Sequence, residues 1–563
     1  MKVIIVGGVA GGATAAARIR RLDEHAEITV FERSGYISYA NCGLPYYIGD
    51  VITDPEELTL QTPESFFKRF HINMKIHHEV ISIHPDRKTV SVKNLENGEI
   101  FEENYDKLIL SPGAKPTQPR LPGVGMDKLF TLRTVEDTFR IKEYINKNHP
   151  KSVVLAGGGF IGLELAENLR ELGMDVTIVQ RPKQLMNPFD PDMASMIHNE
   201  MRKHGIKLVL GYTVEGFKEK DNEVEVLLKD NPSLQADMVV LAIGVTPDTA
   251  LAKKAGLELG IKESIVVNDR METSVPDIYA AGDAVQVKHY VTGNDALISL
   301  AGPANKQGRI IADNICGGDN RYLGSQGSSV IKVFDMTAAT TGINETNAKK
   351  SGLEVDTVIL SPMSHAGYYP GGKVMTMKVV FEKKTYRLLG TQIIGYEGVD
   401  KRIDVLATAI HAGLKATQLK DLDLAYAPPY SSAKDPVNMA GFMIDNIAKG
   451  TLKQWHLEDM DKISKDKSAV LLDVRTVDEF SRGHMDGFKN IPVDELRERI
   501  NEIEKGKPVY LICQSGLRSY IASRILEGNG YETYNFSGGF RFYDAVVNDR
   551  ALIERTYACG MDY

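Results

Sequence analysis

The chain has 563 residues, 43% hydrophobic and 25% charged, with four cysteines and a formal net charge of −8. That length exceeds what one hydrophobic core serves and implies three or four ordinary globular domains. The acidic balance excludes a general nucleic-acid surface, no signal peptide or lipid-binding stretch is visible, and Cys42, Cys316, Cys513 and Cys559 are too few and too scattered for a disulfide framework, so the expected compartment is the reducing cytoplasm.

The opening reads as a buried strand, Lys2–Val6, then Gly7-Gly8-Val9-Ala10-Gly11-Gly12, an alanine-rich helix Ala13–Leu22, and a strand Glu27–Phe31 ending at Glu32. This is a βαβ dinucleotide unit with an acid about 25 residues after the first glycine, as a ribose clamp needs. Val9 takes the place of the middle glycine of Gly-x-Gly-x-x-Gly. Cys42 follows alone in Ser38-Tyr39-Ala40-Asn41-Cys42-Gly43-Leu44-Pro45. A single redox sulfur cycles with an oxygen, as a sulfenic acid, or with an external thiol, as a mixed disulfide. Next comes an apolar strand ending in Ser111-Pro112-Gly113, and then a second nucleotide unit: Ser152–Ala156, Gly157-Gly158-Gly159-Phe160-Ile161-Gly162, helix Leu163–Leu172 and strand Asp175–Val179. Two such units imply two nucleotides with electrons passing between them. After the second strand stand Gln180 and Arg181 in place of an acid; Arg181 or Lys183 suits a 2′-phosphate, so NADH and NADPH are both admissible. Ala236–Gly244 is another apolar strand ending in small residues, and Thr273–Asp283 closes on a Gly-Asp turn.

In this order the segments resemble the pyridine-nucleotide disulfide oxidoreductases. The resemblance implies FAD at Gly7, Gly8, Ala10, Gly12, Glu32, Arg33, Ser111, Pro112, Gly113 and Ala301, with Asp283 on the ribityl chain. It implies NADH or NADPH at Gly157, Gly159, Gly162, Gln180, Arg181 and Gly244. The fold class is α/β: two Rossmann-like domains, the FAD domain split as 1–118 and 246–325 around an NAD(P) domain at 119–245. An α+β interface domain at 326–446 would form a homodimer.

Family members that work through an internal dithiol carry Cys-x4-Cys where this chain has Cys42 and Tyr47. Ser-x-x-Asn-Cys-Gly with one cysteine resembles the coenzyme A disulfide reductases and NADH-dependent persulfide reductases; the NADH oxidases and peroxidases share the lone cysteine. By resemblance Ser38, Asn41, Arg18, Arg21 and Lys68 meet coenzyme A, the alternative for Arg18 and Arg21 being a solvated basic helix face. Tyr368, in His365–Pro370, and Tyr426, in Ala425–Tyr430, would reach across the dimer to Cys42 as catalytic phenols. Tyr369 and Tyr430 are the alternates, and His365 and His411 read as structural.

A linker at 447–457 holds the only tryptophan, Trp455, and leads to a unit at 458–555. Its strand Ala469–Arg475, the stretch Phe480–Gly487 and the loop Cys513-Gln514-Ser515-Gly516-Leu517-Arg518-Ser519 resemble a rhodanese domain. The resemblance makes Cys513 the sulfur carrier and Arg518 part of its loop; a phosphatase loop, Cys-x5-Arg, has one residue more. Cys316 reads as an incidental helix-end residue and Cys559 as exposed and passive. The expected function is reduction of coenzyme A persulfide, polysulfide or coenzyme A disulfide by NAD(P)H on FAD, with Cys513 moving sulfane sulfur. The alternatives are an NAD(P)H oxidase or peroxidase using a Cys42 sulfenic acid, and a sulfur-responsive binding protein whose rhodanese domain only docks. Small sulfur compounds, coenzyme A and a second copy are the expected partners, with no metal, nucleic acid or membrane.

Overall fold

The computed structural model describes residues 1–559, with side chains through Glu554; the reading of Cys559 lies outside the described side chains. Two compact units are present, one formed by residues 1–182 and 205–327, the other by 183–204 and 328 onward.

The first unit contains two five-stranded parallel sheets. In the first, Lys2–Val6 lies between Glu27–Phe31 and Lys107–Leu110, with Asn73–Lys75 and Ile278–Ala280 at the edges. In the second, Ser152–Ala156 lies between Asp175–Gln180 and Met238–Leu241, with Lys207–Leu210 and Leu129–Thr131 outside. The central strands are runs of Val, Ile and Leu buried on both faces, as parallel sheets covered by helices require. Each first strand feeds a glycine turn and a helix: Ala10–Leu22 in one sheet, Phe160–Glu171 in the other. The helix Ala301–Ile315 packs on Ala10–Leu22 so closely that a Cβ on Gly308 would lie 2.3 Å from the Gly11 carbonyl oxygen. The short helix Leu44–Ile48 packs on Phe160–Glu171, where a Cβ on Gly49 would meet Asn168 Oδ1 at 2.1 Å.

The second unit opens with the helix Pro191–Lys203, which follows the strand Asp175–Gln180 in sequence yet packs with the C-terminal half of the chain. Asp190 at its N-terminus accepts hydrogen bonds from Gln392 and Thr346, and buried Lys378 pairs with Asp190, Asp192 and Glu345. A five-stranded antiparallel sheet runs in the order Ser329–Val333, Met336–Gly342, Leu388–Gly395, Met375–Glu382, Val355–Leu360. Beyond it, five parallel strands run in the order Gln454–Trp455, Thr533–Phe536, Val509–Ile512, Val470–Asp473, Lys489–Asn490. Trp455 anchors the linker strand: it is buried against Phe536 and Tyr510 and donates its indole N–H to Leu511 O at 3.2 Å.

Candidate active site

The first glycine turn is shaped for a nucleotide. Gly7 has φ +98°, and a Cβ there would lie 2.1 Å from Ser111 O; Gly12 passes Gly7 O so closely that its Cβ would sit 1.9 Å away. Only glycine allows both. Val9 begins the helix with no side-chain cap, and Ala281 and Leu300 likewise lead into helical turns without one. Uncapped first-turn amides suit phosphate or an anionic ring. Glu32 is buried, accepts from the Gly8 N–H at 2.8 Å and the Ser34 N–H at 2.9 Å, and has its carboxyl pushed up by burial. Ser111 adjoins Gly11 and Gly282, so residues 7–12, 111–113 and 282–283 converge. Gly113 has φ +70°, Ala301 is exposed at its helix start, and Arg133 donates to Asp283 Oδ2 at 2.6 Å. Arg33 is held by Asp248 at 2.8 Å. The donor set and the glycine cradle fit FAD.

The second turn repeats the construction. Gly157 has φ +120° with its Cβ position 2.2 Å from Ala242 O, and Gly162 approaches Gly157 O, while open space faces Gly159. Gln180 Oε1 accepts from the Gly158 N–H at 3.1 Å, taking the place of a ribose-binding acid at the strand end. Arg181 is exposed and Gly244 has φ +107°. With no carboxylate to repel a 2′-phosphate, this set fits either nicotinamide dinucleotide.

Cys42 sits in the turn Asn41–Gly43, just before Leu44–Ile48. Its segment is tied to the first glycine loop, because the Ser38 N–H donates to Gly8 O at 2.9 Å. The side chain is exposed at the surface yet walled by protein. Burial raises the thiol pKa, the carboxylate of Glu164 adds to the rise, Arg133 opposes it, and Asp283 adds slightly. Glu164, on Phe160–Glu171, is itself pushed up to about 7 by burial and by Glu167. Tyr46 is pushed up to about 12 by burial, with Glu164 contributing. Tyr47, at the place of a second cysteine in dithiol enzymes, packs edge-on against Phe139. Sequence reasoning missed Arg133 and Glu164; a charged residue in Gly162-Leu163-Glu164-Leu165-Ala166 was the one available signal for the latter.

The residues expected at coenzyme A are less uniform. Arg18 donates from Nε to Asp313 Oδ1 at 2.6 Å, which occupies part of its guanidinium. Arg21 and Lys68 are exposed, and Lys68 stands on the helix Pro63–Phe70, capped by Thr62 and Ser65. Asn41 and Ser38 are half-buried beside Cys42 in sequence, Ser38 with φ +44°.

In the second unit, Tyr368 and Tyr426 meet hydroxyl to hydroxyl at 2.8 Å, and that bond raises the Tyr426 phenol. Tyr368 is 77% and Tyr426 45% exposed. Buried Arg402 fixes both loops: its guanidinium donates to Ser364 O, Tyr430 O and Ser431 Oγ and pairs with Asp435 at 2.9 Å. The Ala366 N–H donates to Ser431 O, joining the loops directly. Tyr369 lies against His365, and Tyr430 is exposed.

The rhodanese-like loop closes on sulfur. Cys513 is 1% exposed, and its Sγ accepts from the Gly516 N–H at 3.1 Å and the Ser519 hydroxyl at 3.2 Å. Gly516, φ +100°, starts the helix Leu517–Glu527 without a side-chain cap. Arg518 forms two 2.7 Å bonds to Glu479, whose carboxyl they hold down at about 2. Arg475, paired with buried Asp473, lies over the Phe540 ring at 3.8 Å.

The pyridine nucleotide-disulphide oxidoreductase family matches residues 1–308. This chain belongs to that family. Residues 328–436 of the oxidoreductase match the family's dimerisation domain, and 456–545 match the rhodanese-like domain. A coenzyme A disulfide reductase of Staphylococcus aureus is 38% identical over 442 residues, 78% of this chain and 99% of the relative. The reduced CoADR-RHD of Bacillus anthracis is 48% identical with TM-score 0.95, covering 98% of both chains. The NAD-dependent persulfide reductase from A. fulgidus is 38% identical with TM-score 0.90, covering 96% of this chain and all of that one. A water-forming NADH oxidase from Lactobacillus brevis is 31% identical with TM-score 0.77, covering 80% of this chain and 99% of that one. The oxidoreductase is thus an enzyme, a flavoprotein reductase of the coenzyme A disulfide reductase type carrying a rhodanese-like domain. Among the described residues no helix is long and apolar enough to cross a membrane.

Proposed function

We propose that this oxidoreductase uses NAD(P)H to reduce coenzyme A persulfide or coenzyme A disulfide through Cys42 alone, with Cys513 handling sulfane sulfur. The observation that carries the reading is the isolation of Cys42. It is an exposed sulfur on a segment bonded to the first glycine turn, and no described cysteine forms a disulfide with it. The full-length likeness to a coenzyme A disulfide reductase with a rhodanese domain and to a persulfide reductase supports the substrate class.

Bound FAD supplies the passage of two electrons from NAD(P)H to a sulfur–sulfur bond. The chain's own part begins with the Cys42 thiolate, which attacks a sulfur of the substrate to form a mixed disulfide with coenzyme A. The leaving group is coenzyme A thiolate from the disulfide, or hydrosulfide from the persulfide. Arg133 favours the anionic sulfur, whereas Glu164 and Asp283 disfavour it. A thiolate leaves faster when it is protonated as it departs, and the Tyr368–Tyr426 pair is the proton source, offered by one subunit of a homodimer to Cys42 of the other. For the disulfide the net change is one NAD(P)H and one proton consumed and two coenzyme A thiols formed.

The Cys513 thiolate attacks the sulfane sulfur of a donor, the donor's bond to that sulfur breaks and its remainder leaves as an anion, and Cys513 keeps the sulfur as a persulfide within its loop, where the Gly516 amide and the uncapped helix stabilise the anionic sulfur. Cys42→Ser tests the reading under anaerobic conditions with persulfide, disulfide, polysulfide and peroxide. The variant is expected to keep its FAD and lose NAD(P)H-dependent reduction of every sulfur substrate. More than a few per cent of residual sulfur reduction refutes the role of Cys42, and faster wild-type turnover on peroxide than on sulfur favours the oxidase or peroxidase reading.

A further inference from the structure

Two arginines touch the sulfur loop of the rhodanese-like domain, and a carboxylate already holds each of them. Arg475 is buried; it donates to both oxygens of Asp473, to Gly483 O at 2.8 Å and to Gln514 Oε1 at 3.4 Å. Arg518, the loop's own arginine, meets Glu479 with one guanidinium nitrogen on each carboxylate oxygen, both at 2.7 Å. Glu479 is fixed in turn by its own helix, Val477–Ser481: the Thr476 N–H and hydroxyl donate to its Oε2 at 3.0 and 3.1 Å. The bonds to Glu479 chiefly, with the charges of Glu479 and Cys513 adding, favour the protonated Arg518, so this guanidinium stands within electrostatic reach of the sulfur. Arg541 is exposed and forms no ion pair among the described residues; its backbone N–H donates to Gln514 O at 3.3 Å.

The chemistry of transfer makes that pairing selective. The Cys513 thiolate attacks the donor's outer sulfur, and the bond behind that sulfur breaks. From a persulfide the leaving group is a thiolate, and from polysulfide a shorter sulfur chain, each with one negative charge on sulfur. From thiosulfate it is sulfite, a dianion whose charge spreads over three oxygens beside the breaking bond. A guanidinium fork is the side chain best shaped to hold such an oxyanion. Here the fork is filled and its charge offset by Glu479. The same ion pair joins the first turns of two helices that each open on an exposed aliphatic residue, Val477 in one and Leu517 in the other. Those side chains suit an alkyl stem better than an oxyanion.

We propose that Glu479 is a specificity-determining residue for Cys513: by filling the fork of Arg518 it excludes oxyanion donors such as thiosulfate and leaves persulfides and polysulfide chains as the sulfur source. The proposal rests on the reading of Cys513 as a sulfane-sulfur carrier and deepens it by naming the class of donor.

The test follows sulfur transfer to cyanide, as thiocyanate formed, in the full-length, FAD-loaded enzyme under anaerobic conditions. The donors are thiosulfate and 2-hydroxyethyl persulfide, and Cys513→Ser supplies the background rate. Wild type should favour the persulfide in kcat/KM by more than about tenfold, the weight of one charge-assisted hydrogen bond denied to the oxyanion. Glu479→Gln keeps the side chain's shape and its cap on Thr476 while removing the charge. It should raise the ratio of thiosulfate to persulfide kcat/KM about tenfold. Adding Arg518→Gln to it should abolish that rise, because the gain needs the freed guanidinium. A wild-type preference under tenfold overturns the proposal without recourse to any variant. An unchanged ratio in Glu479→Gln overturns it too, as does a rise that survives in the double variant. Cys513-dependent transfer from both donors alike sinks the charge filter alone, whereas no Cys513-dependent thiocyanate from either donor sinks the carrier reading with it.

Discussion

Replacing Glu164 by glutamine removes a charge that the fold holds at a cost. Burial, with Glu167 second, moves its carboxyl from an ordinary 4.5 to about 7. The folded protein therefore binds this proton more tightly than the unfolded chain does. Stability must fall as pH rises from about 4.5 to about 7, and the penalty is complete above that. The gap corresponds to about 3 kcal/mol. Glutamine keeps the shape and carries no charge, so Glu164→Gln should match wild type near pH 4.5 and exceed it by up to about 3 kcal/mol at pH 8. With ~2.1 cal/mol/K of unfolding entropy per residue, and roughly 300 residues of the first unit melting together, that is about 5 °C. Thermal melts of both proteins, matched for FAD content, from pH 4.5 to 8.5 supply the comparison. The same substitution withdraws an anion from Cys42, whose thiol Glu164 helps to raise, so alkylation of Cys42 at pH 8 should quicken several-fold. A melting difference that is flat with pH, or largest at acid pH, refutes the reasoning.

Tyr368→Phe and Tyr426→Phe should each lower kcat about 10²–10⁴-fold if the phenol is the proton donor, with little change in KM for coenzyme A substrates. Because the two hydroxyls bond to each other, the double variant should lose much less than the product of the single losses, and normal turnover in all three ends the assignment. Arg402→Met leaves Asp435 buried without its cation and frees both tyrosine loops, a loss of about 3–5 kcal/mol by analogy with other broken buried pairs, measurable by denaturant unfolding. Cys513→Ser should impair turnover of bulky or inorganic sulfane donors and spare preformed coenzyme A persulfide. Equal losses on both would mean that the domain supports folding or assembly and relays no sulfur.

The parts of the fold legible in the sequence are those built from neighbours along the chain. Strand, glycine turn and helix recur at Lys2–Leu22 and Ser152–Glu171 because steric limits on Gly7 and Gly157 act within a few residues and leave a spaced signature. The isolation of Cys42 is equally local, since it is read from the absence of a cysteine at Tyr47. What escaped is decided by distance in sequence. Glu164 looks like any helical glutamate until burial and Glu167 give it an unusual carboxyl. Arg402 carries no mark of binding two loops centred on Ser364 and Ser431. His198 and Asp549 are 351 residues apart, and no pattern along the chain announces their bond. Helix Pro191–Lys203 follows a nucleotide strand and so reads as part of that domain, yet its own carboxylates and histidine find their partners in the C-terminal half.

The contact between Gly11 and Gly308 also sets a timetable for synthesis. The first glycine turn leaves the ribosome within the opening dozen residues, but the helix that closes on it ends at Ile315, and the edge strand Ile278–Ala280 comes almost as late. At about 5–20 residues per second, the N-terminal sheet waits roughly 15–60 seconds with an exposed edge and a bare helix face. The inserted sheet, whose last strand is Met238–Leu241, is complete well before then. The order of maturation is therefore inside out: the second parallel sheet can be finished while the first still needs its edge strand Ile278–Ala280, and a chain interrupted between residues 245 and 277 would keep the one and lack the other.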